Sequence, residues 1–245
     1  MKILALDTTG KQAGAAIVDE YITIGEITIN AQSGQNTWHH SQILMPAVER
    51  LFALSGQDIA DMDYVAYTAG PGSFTGIRIG AATALGLGRS IGRPAVAVPT
   101  LDSLAYNMLG ILPDGTLVAP LMDARSKQVY AAIYQAKPGK LTRLTDYFIA
   151  PIGEALERVG AYNALVIFLG DGADAYKQDV EAYPGAVIAP ANSNRQRPAS
   201  VGLCAMHQLA ESGGSPLSSS PQLIYIREPQ AVRNNPQLKP TTVKP

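Results

Sequence analysis

The sequence predicts an α/β fold made of two similar lobes. Near the N-terminus, three apolar segments separated by tight turns are followed by alternating helical and extended segments, and a weaker version of this order recurs after about residue 100. The 245 residues allow one large domain or two small ones. Apolar residues make up 47% of the chain and charged residues 16%, which is typical of a well-packed globular protein.

The first half of the chain has the clearer pattern. The segment over 21–30 alternates apolar and polar side chains, as a half-buried strand does, and the helical pattern after His40 ends at Ser55-Gly56, a typical C-cap pair. The order βββαβαβ is that of a ribonuclease H-like domain. The predicted elements are strands over 3–8, 13–19 and 21–30, a helix over 40–54, a strand over 64–69, a helix over 75–91 and a strand over 95–98.

The second half repeats the order more weakly. We therefore predict an N-terminal lobe over 1–100, a C-terminal lobe over 101–212 that includes the final helix, and a mostly mobile tail over 213–245. The predicted elements are strands over 117–122, 128–135 and 141–149, a helix over 151–159, strands over 165–169 and 187–189, and a helix over 198–212.

The net charge, the cysteine content and the lengths of the apolar runs argue against several classes of protein. The formal net charge is −1, so no overall basic field attracts nucleic acid or an anionic membrane. Cys204 is the single cysteine, which excludes an internal disulfide and fits a reducing compartment. No run approaches the ~20 apolar residues of a membrane span, and the N-terminal apolar run is too short for a signal peptide. We expect a cytoplasmic protein without a membrane partner.

The segment Gly70-Pro-Gly-Ser-Phe-Thr-Gly-Ile-Arg-Ile-Gly80 is the most informative motif. It follows an apolar strand and opens a helix in which small residues recur every four positions, and we call these residues the glycine row. Each helical glycine costs roughly 1 kcal/mol relative to alanine, so the row needs a reason. A smooth ridge lets another backbone approach, either within this chain or from a second chain. The glycine row consists of Gly72, Gly76, Gly80, Ala84 and Gly88.

The hydroxyls of this motif are best explained as helix caps. Ser73 or Thr75 is the expected N-cap. A strand followed by a helix N-terminus can bind an anion, but no Gly-Lys-Ser/Thr follows, so the segment is not a Walker A loop. Its glycine spacing also differs from that of a dinucleotide-binding loop and of a nucleophile elbow.

Acids and glycines follow the first strands of both halves. Folds of this duplicated class place a nucleotide between the lobes, with an acid on each side near the phosphates and glycines that let backbone N–H groups approach. The alternative is that these residues are ordinary turn and cap residues, because turn chemistry alone makes such triplets common. The candidate nucleotide cleft consists of Asp7, Thr8, Asp123, Gly170 and Gly172.

The histidines predict no metal site. His39 and His40 are adjacent and therefore point in different directions, whereas a helical metal pair needs ligands one turn apart. His207 stands alone on the final helix, and there is no cluster of cysteine and histidine.

Several motifs occur in the order seen in the TsaB (YeaZ) family, and the chain resembles that family over nearly its whole length to about Arg227. The motifs are Ile3-Leu-Ala-Leu-Asp-Thr-Thr9, His40-Ser-Gln-Ile-Leu-Met-Pro46, the Gly70–Gly80 segment, Asp123-Ala-Arg125 with Gln128-Val-Tyr130, Gly170-Asp-Gly172 and Tyr225-Ile-Arg227.

The resemblance implies the duplicated actin- and Hsp70-like (ASKHA) fold and a non-catalytic role. It implies a partner subunit in making threonylcarbamoyladenosine (t6A) at position 37 of tRNA, together with a TsaD-like catalytic subunit and a TsaE-like ATPase. The catalytic relative carries a His-x-x-x-His metal pair, and the matching positions here are Thr100 and Leu104. ATP or ADP would act at the level of the complex.

The resemblance also implies pairing through the N-terminal lobe, as a homodimer when alone and as a heterodimer with the TsaD-like subunit. Two alternatives are an ATP-dependent phosphotransferase or hydrolase of the same superfamily, which Asp7 and Asp123 favour, and a metallopeptidase, which lacks ligands. The expected pairing surface is drawn from His40, Leu44, Val48, Thr75, Gly76, Ile79, Gly80, Thr83, Ala84 and Leu87.

Overall fold

Alternating apolar positions in the first third of the chain build a five-stranded mixed sheet. The computed structural model describes residues 1–30, 39–214 and 223–226. The first-lobe elements are β1 (Ile3–Asp7), β2 (Gln12–Val18), β3 (Thr23–Asn30), α1 (His40–Ser55), β4 (Tyr64–Thr68), α2 (Phe74–Ser90) and β5 (Ala95–Val98). The sheet order is β3-β2-β1-β4-β5, with β2 antiparallel to β1 and β3, and with β4 and β5 parallel to β1.

The second lobe repeats this plan. Its elements are α3 (Thr100–Ala105), β6 (Leu117–Asp123), β7 (Gln128–Ala131), β8 (Tyr134–Lys137), β9 (Lys140–Arg143), β10 (Phe148–Pro151), α4 (Ile152–Gly160), β11 (Val166–Leu169), α5 (Asp171–Ala175), α6 (Lys177–Glu181), β12 (Ala186–Ile188) and α7 (Pro198–Glu211). The main order, β10-β7-β6-β11-β12, matches the first sheet strand for strand. This confirms the predicted duplicated ribonuclease H-like fold.

The two faces of the first sheet are covered by different helices. Leu4 and Leu6 of β1 pack with residues of α1 and α2, whereas Ile3 and Ala5 pack with residues of α7, such as Val201. The final helix therefore covers the first sheet, although sequence reasoning grouped it with the second lobe. The sequence alone could not show this, because the apolar face of α7 fits either sheet.

The second sheet is covered in the same way. Phe168 of β11 packs with Val159 of α4 and Val180 of α6 on one face. On the other face, Leu101 and Leu104 of α3 are fully buried. The short helix α3 thus begins directly after the last strand of the first lobe and crosses to the second sheet.

Most predicted elements agree with the structure to within a few residues. Gly56 ends α1 with a φ of 65°, and the Ser73 side chain accepts a hydrogen bond from the N–H of Gly76, so both predicted caps are confirmed. The predicted strand over 128–135 is wrong in one respect: it breaks into β7 and β8, and the N–H of Ile133 at the break donates to Thr145 Oγ1.

Three short α-helices in the described part of the chain were not predicted. They are α3, α5 and α6. In addition, the predicted strand over 141–149 is divided into two strands, β9 and β10. Helices of five or six residues carry too few turns for a periodic apolar pattern, so sequence reasoning missed them.

The predicted mobile tail lies mainly outside the described residues, as does Arg227. Within it, the described residues 223–226 return to the first lobe, where the N–H of Ile224 donates to the carbonyl oxygen of Ala69. Among the helices described, none has the length and apolar character needed to cross a membrane.

Candidate functional site

The first-lobe turn (residues 8–11) links β1 to β2 at the carboxyl end of β1. Just before it, Asp7 is 3% exposed, and its Oδ1 accepts hydrogen bonds from the N–H and the hydroxyl of Thr9 and from the hydroxyl of Thr68. Asp7 Oδ2 has no hydrogen-bond partner in the described residues. Burial raises the pKa of Asp7 above its ordinary value, although these hydrogen bonds act in the opposite direction.

The glycine row of α2 packs on this turn. A Cβ built on Gly76 would lie 1.9 Å from the carbonyl oxygen of Thr8, and one on Gly80 would lie 2.6 Å from Thr8 Oγ1. The Thr8 hydroxyl donates to the carbonyl oxygen of Gly76 at 2.7 Å. Of the two alternatives that the sequence left open at these positions, the structure selects packing within this chain.

The predicted pairing surface is therefore corrected in part. Half of its members face inward, because α1 and α2 use them to cover the first sheet and the first-lobe turn; these are Leu44, Val48, Gly76, Gly80 and Ala84. The other members reach the surface to different extents: Thr75 is exposed, and His40, Ile79, Thr83 and Leu87 are half-buried.

His40 connects α1 to the first-lobe turn. Its Nδ1 lies 3.1 Å from the position of a Cβ built on Gly76. Burial lowers the pKa of His40, while a hydrogen bond with the backbone of Gly10 acts in the opposite direction. His40 is thus a packing residue at the start of α1 as well as a candidate for the pairing surface.

The second-lobe turn (residues 124–127) occupies the matching place between β6 and β7. Asp123 Oδ1, just before it, accepts hydrogen bonds from the N–H of Arg125 and the hydroxyl of Tyr176. Arg125, Ser126 and Lys127 have φ values of 62°, 54° and 57° and are all exposed. Such left-handed conformations cost roughly 1–2 kcal/mol for each non-glycine residue, so this turn stores backbone strain.

Gly170 and Gly172 lie where β11 passes into α5. The N–H of Gly170 donates to Asn194 Oδ1 at 2.7 Å, and Gly170 has a φ of 107°. A Cβ on either glycine would lie within 2.8 Å of the carbonyl oxygen of Leu121. These glycines therefore allow α5 to approach the end of β6.

Most polar groups of the candidate nucleotide cleft have partners within this chain. The side chains of Asp7, Thr8 and Asp123 are engaged by protein donors and acceptors, and the N–H of Gly170 is bonded to Asn194. The side chain of Gln196 covers Gly10, since its Oε1 lies 2.8 Å from a Cβ built there. The expectation that these residues hold a nucleotide stays a prediction.

The positions that match the metal pair of the catalytic relative are packing positions here. The Thr100 hydroxyl accepts the N–H of Gly70, and Leu104 lies fully buried among the apolar residues of the second lobe. Over 1–30, 39–214 and 223–226, no group of three or more histidine, cysteine, aspartate or glutamate residues could hold a metal ion.

An aromatic and cationic cluster joins the C-terminal segment to the start of α2. The ring of Tyr225 lies 5.4 Å from the ring of Phe74, and the Arg78 guanidinium lies 3.9 Å from the centroid of Phe74. Arg78 Nε also donates to Tyr225 Oη at 3.2 Å. The cluster borders the exposed Thr75, so the C-terminal segment contributes to the surface of α2.

Sequence reasoning missed the residues that hold the two turns in place. Gln196 and Tyr176 come from distant segments, as does Asn194, which fixes Gly170, and the types of these residues carry no motif. The strained conformation of 125–127 was missed as well, because it contains none of the glycine or asparagine residues that usually mark left-handed backbone. Only the tertiary contacts reveal it.

Comparisons with known proteins agree with this geometry. The family model for TsaD, described as tRNA N6-adenosine threonylcarbamoyltransferase, matches residues 34–228. The tRNA threonylcarbamoyladenosine biosynthesis protein TsaB of Bacillus subtilis (strain 168) is 35% identical over 202 residues, which cover 81% of this chain and 84% of that protein. The chain belongs to the TsaB (YeaZ) family.

Two further relatives support the TsaB assignment. The TsaB protein of Escherichia coli (strain K12) is 35% identical over 135 residues, which are 55% of each chain. The solved structure of YeaZ from Pseudomonas aeruginosa matches with a TM-score of 0.72 and 25% identity, over 91% of this chain and 99% of that chain. The resemblance stated from the sequence motifs is confirmed.

Proposed function

We propose that this TsaB-family chain is a non-catalytic subunit in the biosynthesis of threonylcarbamoyladenosine in tRNA. It pairs with a TsaD-like catalytic subunit, works with a TsaE-like ATPase in the cytoplasm, and forms a homodimer when alone. The TsaB names of its relatives support the pathway. The match to the TsaD family model supports a shared fold with the catalytic partner.

The observation that carries the non-catalytic part is the packing at Thr100 and Leu104. Where the catalytic relative is expected to place two histidines, this chain has a hydroxyl bonded to Gly70 and an apolar side chain in the core. A metal ion at this place would need both side chains replaced and the core opened.

The pairing surface that we propose consists of the outward-facing part of the predicted set. Thr75, Ile79, Thr83 and Leu87 recur every four residues along α2 and are exposed or half-buried, and His40 lies beside them at the start of α1. The alternation of threonine with isoleucine and leucine in this stripe offers apolar contact area to a helix of the partner.

The proposal is tested by reconstituting t6A formation on an unmodified tRNA transcript with the TsaD-like and TsaE-like proteins of the same organism. We expect product only when this chain is present, and no ATP turnover by this chain alone. Full activity without this chain would contradict the proposal. Steady ATP hydrolysis by the isolated chain would favour the ATP-dependent enzyme, and stoichiometric zinc or iron would favour the metallopeptidase.

A further inference from the structure

The second-lobe turn is held in its strained shape by groups outside it. The carbonyl oxygen of Lys127 accepts the N–H of Ile152, and Asp123 accepts the N–H of Arg125. Asp123 is itself fixed by the hydroxyl of Tyr176 and, through its own N–H, by Asp171 Oδ1. The surrounding structure thus presents the side chains of residues 125–127 to solvent.

Four cations lie around this turn, together with the acids Asp123, Asp171 and Asp174. Arg125 and Lys127 are exposed and form no ion pair within the described ranges. Three contacts bring the segments of these cations together: Gln196 packs on Gly10, Asn194 accepts the N–H of Gly170, and Asp171 accepts the N–H of Asp123. Lys11 and Arg195 therefore lie next to the second-lobe turn. We call Lys11, Arg125, Lys127 and Arg195 the basic rim. It combines the first-lobe turn, the second-lobe turn and the segment before α7.

Lys11, Arg125 and Lys127 are exposed to solvent and Arg195 is half-buried, while the chain packs closely at Gly10 and Gly72 between the two turns. Gln196 covers Gly10, and a Cβ on Gly72 would lie 2.7 Å from the carbonyl oxygen of Thr9 and 3.3 Å from the Met122 methyl group. A cavity of about 750 Å³ lies on the far side of Arg195, and Asn194 and Lys177 also line it. Lys11, Arg125 and Lys127 are not among its lining residues. An open row of cations suits the backbone of an extended polyanion.

We propose that the basic rim contacts the phosphate backbone of an RNA substrate. This inference rests on the proposed function, in which the chain and its partner act on tRNA. Lys11, Arg125 and Lys127 form no ion pair in the described residues, so a phosphate can neutralise them without breaking an existing bridge, whereas Arg195 already pairs with Asp174. Backbone contact carries no sequence information, so the rim would act on any tRNA that the complex accepts.

The test compares two double variants of the full-length chain, alone and mixed with the TsaD-like protein. Arg125→Asn/Lys127→Asn removes two rim charges, and asparagine tolerates the left-handed conformation. Arg93→Asn/Lys140→Asn removes two exposed charges at the opposite ends of the sheets, beside the starts of β5 and β6. Binding of an unmodified tRNA transcript is measured from 50 to 200 mM salt, and ATP binding is measured in parallel.

We expect the rim variant to bind tRNA about tenfold more weakly at the lower salt and to reduce the slope of log affinity against log salt by about two, one for each lost phosphate contact. The control should change affinity less than twofold. Equal behaviour of the two variants would overturn the inference, and so would a loss of ATP binding with unchanged tRNA binding. If this chain and the TsaD-like protein do not pair, that result counts against the proposed function. The inference about the basic rim is then decided by comparing tRNA binding of the two variants in the absence of the partner.

Discussion

The two lobes share one strand order but use the turn after their first strand in opposite ways. The first-lobe turn lies beneath the glycine row of α2, and Thr8 is fully buried. The second-lobe turn faces short helices, α5 and α6, and its residues 125–127 are exposed and strained. A duplicated fold thus keeps its topology while the helix packed above each turn decides how much of the turn is buried, because Thr8 and Thr9 are covered whereas Lys11 and residues 125–127 reach solvent.

The glycine row should produce the largest effect. We expect Gly76→Ala to lower the free energy of unfolding by about 3 kcal/mol or more, because the new methyl group would meet the Thr8 carbonyl oxygen. Gly86→Ala lies on the exposed face of the same helix, where a Cβ meets nothing within 4 Å, and should raise stability by about 1 kcal/mol. Urea unfolding measures both, and equal effects would mean that α2 does not cover the turn.

The glycine row also shows which structural features the sequence could predict and which it could not. The four-residue spacing correctly predicted a close backbone approach in α2, and Ser73 was correctly predicted as a cap. The spacing could not identify the approaching backbone, which is Thr8 at a separation of 68 residues. Regular elements follow local patterns, whereas the contacts of Gln196 and Tyr176 depend on the complete fold.

The second-largest effect is expected for a substitution in the outward-facing stripe of α2, which is part of the proposed pairing surface. Thr83→Arg places a long cation in the proposed pairing surface, and we expect it to weaken binding of the TsaD-like partner about 30-fold, or ~2 kcal/mol. Gln178→Arg adds the same charge on the exposed side of α6 and should leave binding unchanged. Calorimetric titration would measure both variants, and an unaffected Thr83→Arg variant would move the pairing surface elsewhere.

The buried acid of the first lobe should give a smaller, pH-dependent effect. Because burial raises the pKa of folded Asp7 above 3.8, the folded chain keeps this proton to higher pH than the unfolded chain does. Its contribution to stability is therefore lost as the pH rises from about 4 through the folded-state pKa. We expect Asp7→Asn to gain stability relative to the parent chain over that range.

Asp19 provides the opposite control for this pH dependence. Hydrogen bonds from the N–H groups of Tyr21 and Ile22 lower the pKa of Asp19. The contribution of Asp19 to the stability of the fold is therefore present above pH 3.8 and is lost as the pH falls through the folded-state pKa. Asp19→Asn should therefore lose stability relative to the parent chain as the pH rises through the acid range. Thermal melts from pH 3 to 8 measure how the stability difference between each variant and the parent chain changes with pH. If this difference changes in the same direction for Asp7→Asn and Asp19→Asn, the burial of Asp7 is contradicted.

The strain in the second-lobe turn should give the smallest effect. Ser126→Gly removes the left-handed penalty but adds freedom to the unfolded chain, so we expect a net gain of up to about 1 kcal/mol. Ser41→Gly, on an exposed helical position of α1, should instead cost roughly 0.5 kcal/mol. A loss of stability in Ser126→Gly would mean that the turn is not left-handed in solution.

The central claim is that the first lobe serves pairing with a TsaD-like subunit. It is tested most directly by light scattering after size exclusion, for this chain alone and mixed in equal amounts with the TsaD-like protein of the same organism. We predict that a homodimer gives way to a one-to-one heterodimer. Separate elution of the two proteins at their own masses would contradict the account.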